Sequence, residues 1–322
     1  MKAADIKKIC ALGGGGVIGS SWCTNFLWKG YAVTVYDVND EALALAKKRI
    51  TANLEYLAEK KIITQEASRQ ALAQASYTTD QRKALQDVQY VQESGPENYD
   101  VKKAVLAILD KYGSPETIFA SSTSGLLITE IAKGSQHPER CIGAHPYNPP
   151  HLIPLVEITK GEQTSDAVVK VANDFYRLLG KEPIVLQKEA LGFISNRLQI
   201  ALYREAVNLV LTGVCSVEDV DKAVCYGPGL RYALLGPNLI FHLGGGQVGL
   251  KGVLEHIGPS MELWLKDMAV WKEFPAGSKD ILQKGVLQEM QGRKQEEGKT
   301  TEEISRWRDE KLLNLLKLLN RI

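Results

Sequence analysis

The chain has 322 residues, 44% of them hydrophobic and 24% charged, the balance of a globular protein and far from that of a disordered one. Its 39 Lys and Arg against 38 Asp and Glu leave a net charge of +1, which argues against a nucleic-acid or anionic-membrane binder. No apolar run reaches the ~18–20 residues of a membrane span, and five cysteines without a C-x-x-C pair argue against a disulfide framework or a cysteine-built zinc site. The length predicts two domains or one large one. The N-terminus reads straight into a strand with no signal peptide, so a cytoplasmic protein is expected.

Residues 6–12 are an apolar-rich run ending at four glycines, and the stretch after Gly19 through Leu27 reads as a helix stopped by Gly30. Ala32–Tyr36 is a β-branched, aromatic strand ending at Asp37. Asn39 can cap a helix whose Leu43, Ala46, Ile50, Leu54 and Leu57 recur at steps of three and four. Val88–Val91, Thr117–Ala120, Cys141–Ala144 and Leu155–Thr159 read as further strands, the first two separated by a helix around 98–111. This alternation predicts an α/β Rossmann-type N-terminal domain over 1–189. From Ala190 long helical patterns predict an all-helical C-terminal domain over 190–322, broken at Gly227-Pro-Gly229 and Gly244–Gly246. Residues 292–298 read as a loop, and Thr300 with Glu303 as a capping box before a helix through Leu319.

Gly14-Gly-Gly16-Val-Ile-Gly19 is the one register of the glycine run that fits G-x-G-x-x-G. It follows a strand, opens a helix, and has Asp37 at the end of the next strand 23 positions after Gly14. In a dinucleotide site Gly14 makes the tight turn, Gly16 admits the pyrophosphate, and Gly19 lets helix and strand pack closely. The helix N-terminus meets the phosphates and Asp37 the ribose hydroxyls. Asp37 would repel a 2′-phosphate, and Val38 and Asn39 offer no Arg to bind one, so NAD is expected over NADP. A plain glycine-rich turn with a solvated Asp37 is the competing reading.

His145, in Gly143-Ala-His-Pro-Tyr-Asn148-Pro-Pro150, follows one strand, and Glu157 lies on the next. If the Pro-rich loop folds the strands together, an imidazole gains a carboxylate. That pair suits removal of a hydroxyl proton during hydride transfer. The same spacing also admits a structural His and a solvent-facing Glu. His242, in the apolar run Leu239–Leu243, reads as a core histidine. His137, His151 and His256 share no metal-ligand spacing, so no metal is expected.

Taken together, Gly14-x-Gly16-x-x-Gly19, Pro96-Glu97-Asn98, Ser121–Ser124, His145-Pro-Tyr-Asn148-Pro, Leu155-Val-Glu157 and Gly192-Phe-Ile-Ser-Asn196-Arg197 resemble the L-3-hydroxyacyl-CoA dehydrogenase superfamily, in its order. His145-Pro-x-Asn-Pro-Pro150, Gly229-Leu-Arg-Tyr-Ala233 and Arg306-Trp-Arg-Asp-Glu310 are similar to its branch of lambda-crystallin (L-gulonate 3-dehydrogenase) and L-carnitine dehydrogenase. The resemblance implies His145 as catalytic base, Glu157 as its partner, and Ser124 and Asn196 as groups that hold the reacting oxygen. It implies cofactor-side contacts from Glu97, Lys102 and Asn148, and a helical domain that closes the cleft and forms a homodimer.

Three departures bear on the substrate. Gly125 replaces a common second Ser, Asn53 stands where acyl-CoA enzymes carry a coenzyme-contacting Ser although Lys60 matches a basic contact, and Arg231 interrupts an otherwise uncharged run. A guanidinium in that loop would pair with a free carboxylate of the substrate, the competing reading being a protein carboxylate or a helix end. The expected activity is therefore NAD-dependent interconversion of an L-3-hydroxy acid and its 3-oxo acid. The alternatives are a CoA thioester substrate, and NAD(H) binding without turnover as in a crystallin.

Overall fold

The computed structural model describes Met1–Ile322 as two compact units, Met1–Arg197 with Leu312–Ile322, and Leu198–Lys311. The first is built on eight strands: β1 (Lys8–Leu12), β2 (Ala32–Tyr36), β3 (Ala75–Thr78), β4 (Tyr90–Glu93), β5 (Ile118–Ser121), β6 (Cys141–Pro146), β7 (Leu155–Lys160) and β8 (Glu182–Val185). The helices among them are α1 (Val17–Trp28), α2 (Asp40–Glu59), α3 (Gln65–Ala73), α4 (Gln81–Ala84), α5 (Tyr99–Tyr112), α6 (Ile128–Ile131) and α7 (Asp166–Leu178). One sheet runs β3-β2-β1-β4-β5-β6-β7-β8, parallel throughout except between β6 and β7.

The strand order reverses at β1, which pairs with β2 on one side and β4 on the other. Such a switch point opens a crevice at the carboxyl ends of the strands, where ligands of α/β sheets bind. Central strands covered on both faces are nearly continuous in apolar residues, as Ile9–Leu12 and Ile118–Ala120 show. One face buries Trp22, Phe26, Phe175 and Tyr176, and the other Leu85, Leu106, Leu109 and Ile131. On α2 the Asn39 side chain accepts from the Ala42 amide at 2.8 Å, and all five of the periodic apolar residues are buried.

Helix α1 begins at Val17, immediately after Gly16 and earlier than the sequence pattern suggested. Strand β3 escaped the pattern because it is an edge strand whose residues stay half-exposed. The sequence divides at 189/190, whereas the first compact unit runs on to Arg197 and regains Leu312–Ile322. Two sets of contacts account for this. Glu157 of β7 accepts hydrogen bonds from the Ile194 and Ser195 amides, and Leu313 and Leu316 are buried with Leu57 and Leu152.

Beyond β8 come α8 (Ser195–Leu211), α9 (Val217–Tyr226), α10 (Pro228–Tyr232), α11 (Pro237–Gly244), α12 (Gly249–His256), α13 (Gly258–Asp267), α14 (Ser278–Gly292) and α15 (Thr301–Leu318). The second unit has no strand. Thr300 and Glu303 form the expected capping box, the Thr300 hydroxyl accepting from the Glu303 amide at 3.2 Å and the Glu303 carboxylate from the Thr300 amide at 3.1 Å. Arg231 is exposed on the short helix α10, where proline at the first position favours a helical turn over the loop read from sequence. His242 is exposed too, contrary to its reading as core, because its apolar neighbours Leu239, Phe241 and Leu243 face outward; its Nδ1 accepts from the Leu250 amide at 3.3 Å. No helix is long and apolar enough to cross a membrane.

Candidate active site

The glycine turn lies between β1 and α1 at the switch point. Gly14 donates its amide to the Tyr36 carbonyl at 3.1 Å. A Cβ on Gly19 would run into the Gly13 carbonyl, so helix and turn are in direct contact there. A Cβ on Gly16 would find its nearest neighbour at 3.5 Å, which leaves this backbone open to a pyrophosphate facing the α1 N-terminus. Gly15, which the motif leaves unspecified, is also constrained: a Cβ on it would lie 2.7 Å from the Ala42 carbonyl oxygen. Asp37 reaches this turn, its Oδ2 accepting from the Gly15 amide at 2.8 Å and its Oδ1 from the Val38 amide at 2.8 Å. Sequence reading missed Arg49, which reaches back from α2 to donate to the Gly15 carbonyl. These groups fit a dinucleotide.

At the ends of β4 and β5 a second cluster forms. Lys102 is buried, its Nζ 3.1 and 3.0 Å from the two carboxylate oxygens of Glu93 and 3.6 Å from Glu97. The structure therefore turns Lys102 inward, where it neutralises a buried carboxylate. Glu93 also accepts from the Gly95 amide at 2.6 Å, tying down the turn that carries Glu97. Glu97, partly exposed, accepts from the Thr123 hydroxyl and the Ser124 amide, both at 2.7 Å.

His145 and Glu157 occupy opposite positions in the antiparallel register of β6 and β7, so the ladder itself presents both side chains on one face. His145 Nδ1 lies 2.8 Å from Glu157 Oε2, with the histidine 6% exposed and the glutamate 0%. The remaining acceptor capacity of Glu157 is filled by the Ile194 amide at 3.0 Å, the Ser195 amide at 2.9 Å and the Ser195 hydroxyl. Burial raises the pKa of this carboxyl, but the hydrogen bonds from His145, Ser195 and the two amides outweigh it and hold the group below its ordinary range. A carboxylate so held requires the proton on Nδ1, which leaves Nε2 as the basic nitrogen.

The residues that follow complete the cluster. Asn196 donates to the Ser124 carbonyl at 2.8 Å and accepts from the Tyr147 hydroxyl at 3.3 Å. The rings of Tyr147 and Phe193 meet the imidazole edge-on at 5.6 and 5.7 Å between centroids. Phe193 has φ +50°, a left-handed conformation uncommon for an aromatic residue. Its burial and the clamp of Glu157 on the next two amides offset a strain of about 1–3 kcal/mol. Ser124 and Asn148 are both exposed. The structure thus brings His145, Glu157, Ser124 and Asn196 together. Sequence reading did not single out Ser195, Phe193 and Tyr147, although each adjoins a residue it did name. Arg231 belongs to the second unit and is not among them.

Residues 9–190 match the family model for the 3-hydroxyacyl-CoA dehydrogenase NAD binding domain, and residues 192–299 the model for the 3-hydroxyacyl-CoA dehydrogenase C-terminal domain. The L-carnitine dehydrogenase of Oceanobacillus iheyensis is 38% identical over 315 residues, 98% of each chain. Among solved structures, 5-formyl-3-hydroxy-2-methylpyridine 4-carboxylic acid 5-dehydrogenase, an NAD+ dependent dismutase, superposes with a TM-score of 0.79 at 29% identity and 97% coverage of both chains. The (S)-3-hydroxybutyryl-CoA dehydrogenase of Ralstonia eutropha gives a TM-score of 0.66 at 27% identity, covering 81% of this chain and 89% of that one.

Proposed function

This chain belongs to the 3-hydroxyacyl-CoA dehydrogenase family, NAD-dependent oxidoreductases acting on a CH–OH group, and from that premise we propose that it oxidises a small free L-3-hydroxy acid, of the class of L-carnitine, with His145 as general base. The observation that carries the proposal is the buried His145–Glu157 pair. Nε2 of His145 takes the hydroxyl proton while the Glu157 carboxylate stabilises the imidazolium that forms. Ser124 and Asn196 hold the reacting oxygen. Bound NAD supplies the hydride acceptor, so that the alcohol loses a hydride and a proton and becomes a ketone. Gly14, Gly16, Gly19, Asp37, Glu97 and Asn148 serve the cofactor, and Lys102 supports them through Glu93 and Glu97.

Three observations support a free acid over a CoA thioester. Asn53 is engaged internally, donating to the Thr24 hydroxyl at 3.1 Å. Lys60 lies 3.6 Å from a Glu59 carboxylate oxygen and over the Tyr56 ring. The same helix carries Leu57, which is covered by Leu313 and Leu316. Asn53, one of the two positions that the resemblance associates with a coenzyme, is thus engaged by the protein itself, and L-carnitine, which the relatives' name gives, carries a free carboxylate. Arg231 is proposed as the partner of that carboxylate. A homodimer is part of the proposal, supported by the exposed Leu239, Leu243, Leu263, Trp264 and Leu265 of the second unit. So is a cytoplasmic setting, supported by five unpaired cysteines.

The test is NADH formation with L-carnitine, L-3-hydroxybutyrate and 3-hydroxybutyryl-CoA side by side, each with the wild type and Arg231→Met. Turnover of a free acid, with its KM raised by the substitution, supports the reading. Efficient turnover of the thioester, unchanged by the substitution, selects the CoA alternative, and NADH binding without turnover of any member of the panel selects the crystallin-like one.

A further inference from the structure

One cation of the first unit is buried without a carboxylate. Lys181, at the entrance to β8, is 5% exposed, and its ammonium lies 5.7 Å from the centre of the Trp22 ring. Its Nζ donates to the Pro150 carbonyl and, at 3.1 Å, to the Ile153 carbonyl. Burial, with the nearby Lys29 ammonium, pushes its pKa down to about 7. An ammonium so placed is costly, and hydrogen bonds to neutral carbonyls offset only part of that cost.

Both carbonyls belong to the loop that follows the proposed base, Tyr147 to Pro154. The same loop is fastened at two further points. Ser21 of α1 accepts from the His151 amide at 2.9 Å, and its hydroxyl lies 2.7 Å from His151 Nδ1. Leu152 is buried against Leu313 and Leu316. The loop is thus tied to the helix that opens on the glycine turn, to the edge of the sheet and to the C-terminal residues. Upstream of these ties sits the exposed Asn148. His145 does not depend on them, because the β6–β7 ladder and Glu157 hold it.

We propose that Lys181 is a positioning residue for the cofactor: by holding the Pro150 and Ile153 carbonyls it sets the loop at the height that presents Asn148 to bound NAD. The proposal rests on the reading of Asn148 as a cofactor contact. Without the ammonium the buried Pro150 carbonyl and the half-buried Ile153 carbonyl lose their donor, the loop moves, and Asn148 moves with it, while the base stays in place.

The experiment compares Lys181→Met, Ser21→Ala and Asn148→Ala in the full chain, reading the NADH dissociation constant by fluorescence titration and KM for NAD and kcat by steady-state kinetics. Lys181→Met is expected to raise the NADH dissociation constant and KM for NAD about five- to tenfold, with kcat changed by less than about threefold. Ser21→Ala is expected to act in the same direction more weakly, and it decides the matter should Lys181→Met fail to fold. Unchanged NADH affinity in the Lys181 and Ser21 variants, beside a weakened Asn148→Ala, overturns the role of the tie. Unchanged affinity in Asn148→Ala overturns the reading of Asn148, and the proposal falls with it. A loss confined to kcat would place Lys181 behind the base instead and equally overturns the proposal.

Discussion

Gly125 stands so close to Gly192 that a Cβ added to it would lie 2.8 Å from the Gly192 nitrogen and 3.0 Å from its Cα. Gly192, at φ +72°, begins the turn that delivers Phe193 to the imidazole and the Ser195 amide to Glu157. The missing side chain at 125 is therefore a steric requirement of the site as well as a change in its polarity. Gly125→Ser is expected to displace the 191–195 turn and lower kcat/KM on the order of 10–100-fold, since a misplacement of about 1 Å costs that much. An unaltered kcat/KM would show that the turn has room to yield.

The His145–Glu157 pair is open to a direct test. His145→Ala is expected to lower kcat by about 10²–10⁴ while leaving NADH binding intact. Glu157→Gln keeps the shape but puts an amide N–H where the Ser195 hydroxyl and His145 both donate. A smaller fall in kcat is expected, together with a loss of thermal stability from mismatched buried donors. Near wild-type turnover in His145→Ala would remove it from the mechanism.

Cofactor choice is expected to rest on one side chain. Asp37 disfavours a 2′-phosphate by its charge, yet Arg49 already reaches the Gly15 carbonyl beside it. Wild-type kcat/KM should favour NAD over NADP, and Asp37→Ser should narrow or reverse that ratio by exposing the phosphate to Arg49. If Asp37→Ser leaves the ratio unchanged, discrimination lies elsewhere.

Buried His151 makes a stability prediction. Burial and the Lys181 charge push its pKa from the ordinary 6.5 down to about 3, so the folded state keeps it neutral where the unfolded chain takes up a proton. The unfolded state binds more protons between these values, and stability must fall as pH drops from about 6.5 toward 3 by at most ~1.4 kcal/mol per pH unit. Glu157 adds to the fall: its folded pKa is depressed, so its contribution is present above the unfolded value and is lost as pH passes below it. Denaturant unfolding from pH 7 to pH 4 should show the advantage of wild type over His151→Asn shrinking on acidification. A pH-independent difference would mean that His151 is not buried neutral.

Much of this was legible in the sequence because local chemistry and the fold agree. Asn39 caps where it stands, and the five apolar residues of α2 are all buried. His145 and Glu157 meet because the strands that carry them form one ladder. What escaped the sequence depends on three-dimensional proximity. Nothing near Gly15 in sequence marks Arg49 as its neighbour, and a lysine that reads as an ordinary charge before Glu182 proves to be sealed beneath a proline loop. Lys102 matched a cofactor contact by position, yet only the packing of α5 reveals that Glu93 holds it.

The return of Leu312–Ile322 to the first unit has a consequence for how the chain is made. Lys317 donates to the Lys60 carbonyl at 3.0 Å across 257 positions, and Leu57 and Leu152 share a core with Leu313 and Leu316. A ribosome releases the sheet long before it releases those leucines. Until it does, the nascent sheet carries a greasy notch where Leu57 and Leu152 lie bare, a transient apolar surface of the kind chaperones cover. Closing that notch is a late, long-range step, because the whole of Leu198–Lys311 is made before the leucines that seal the first unit.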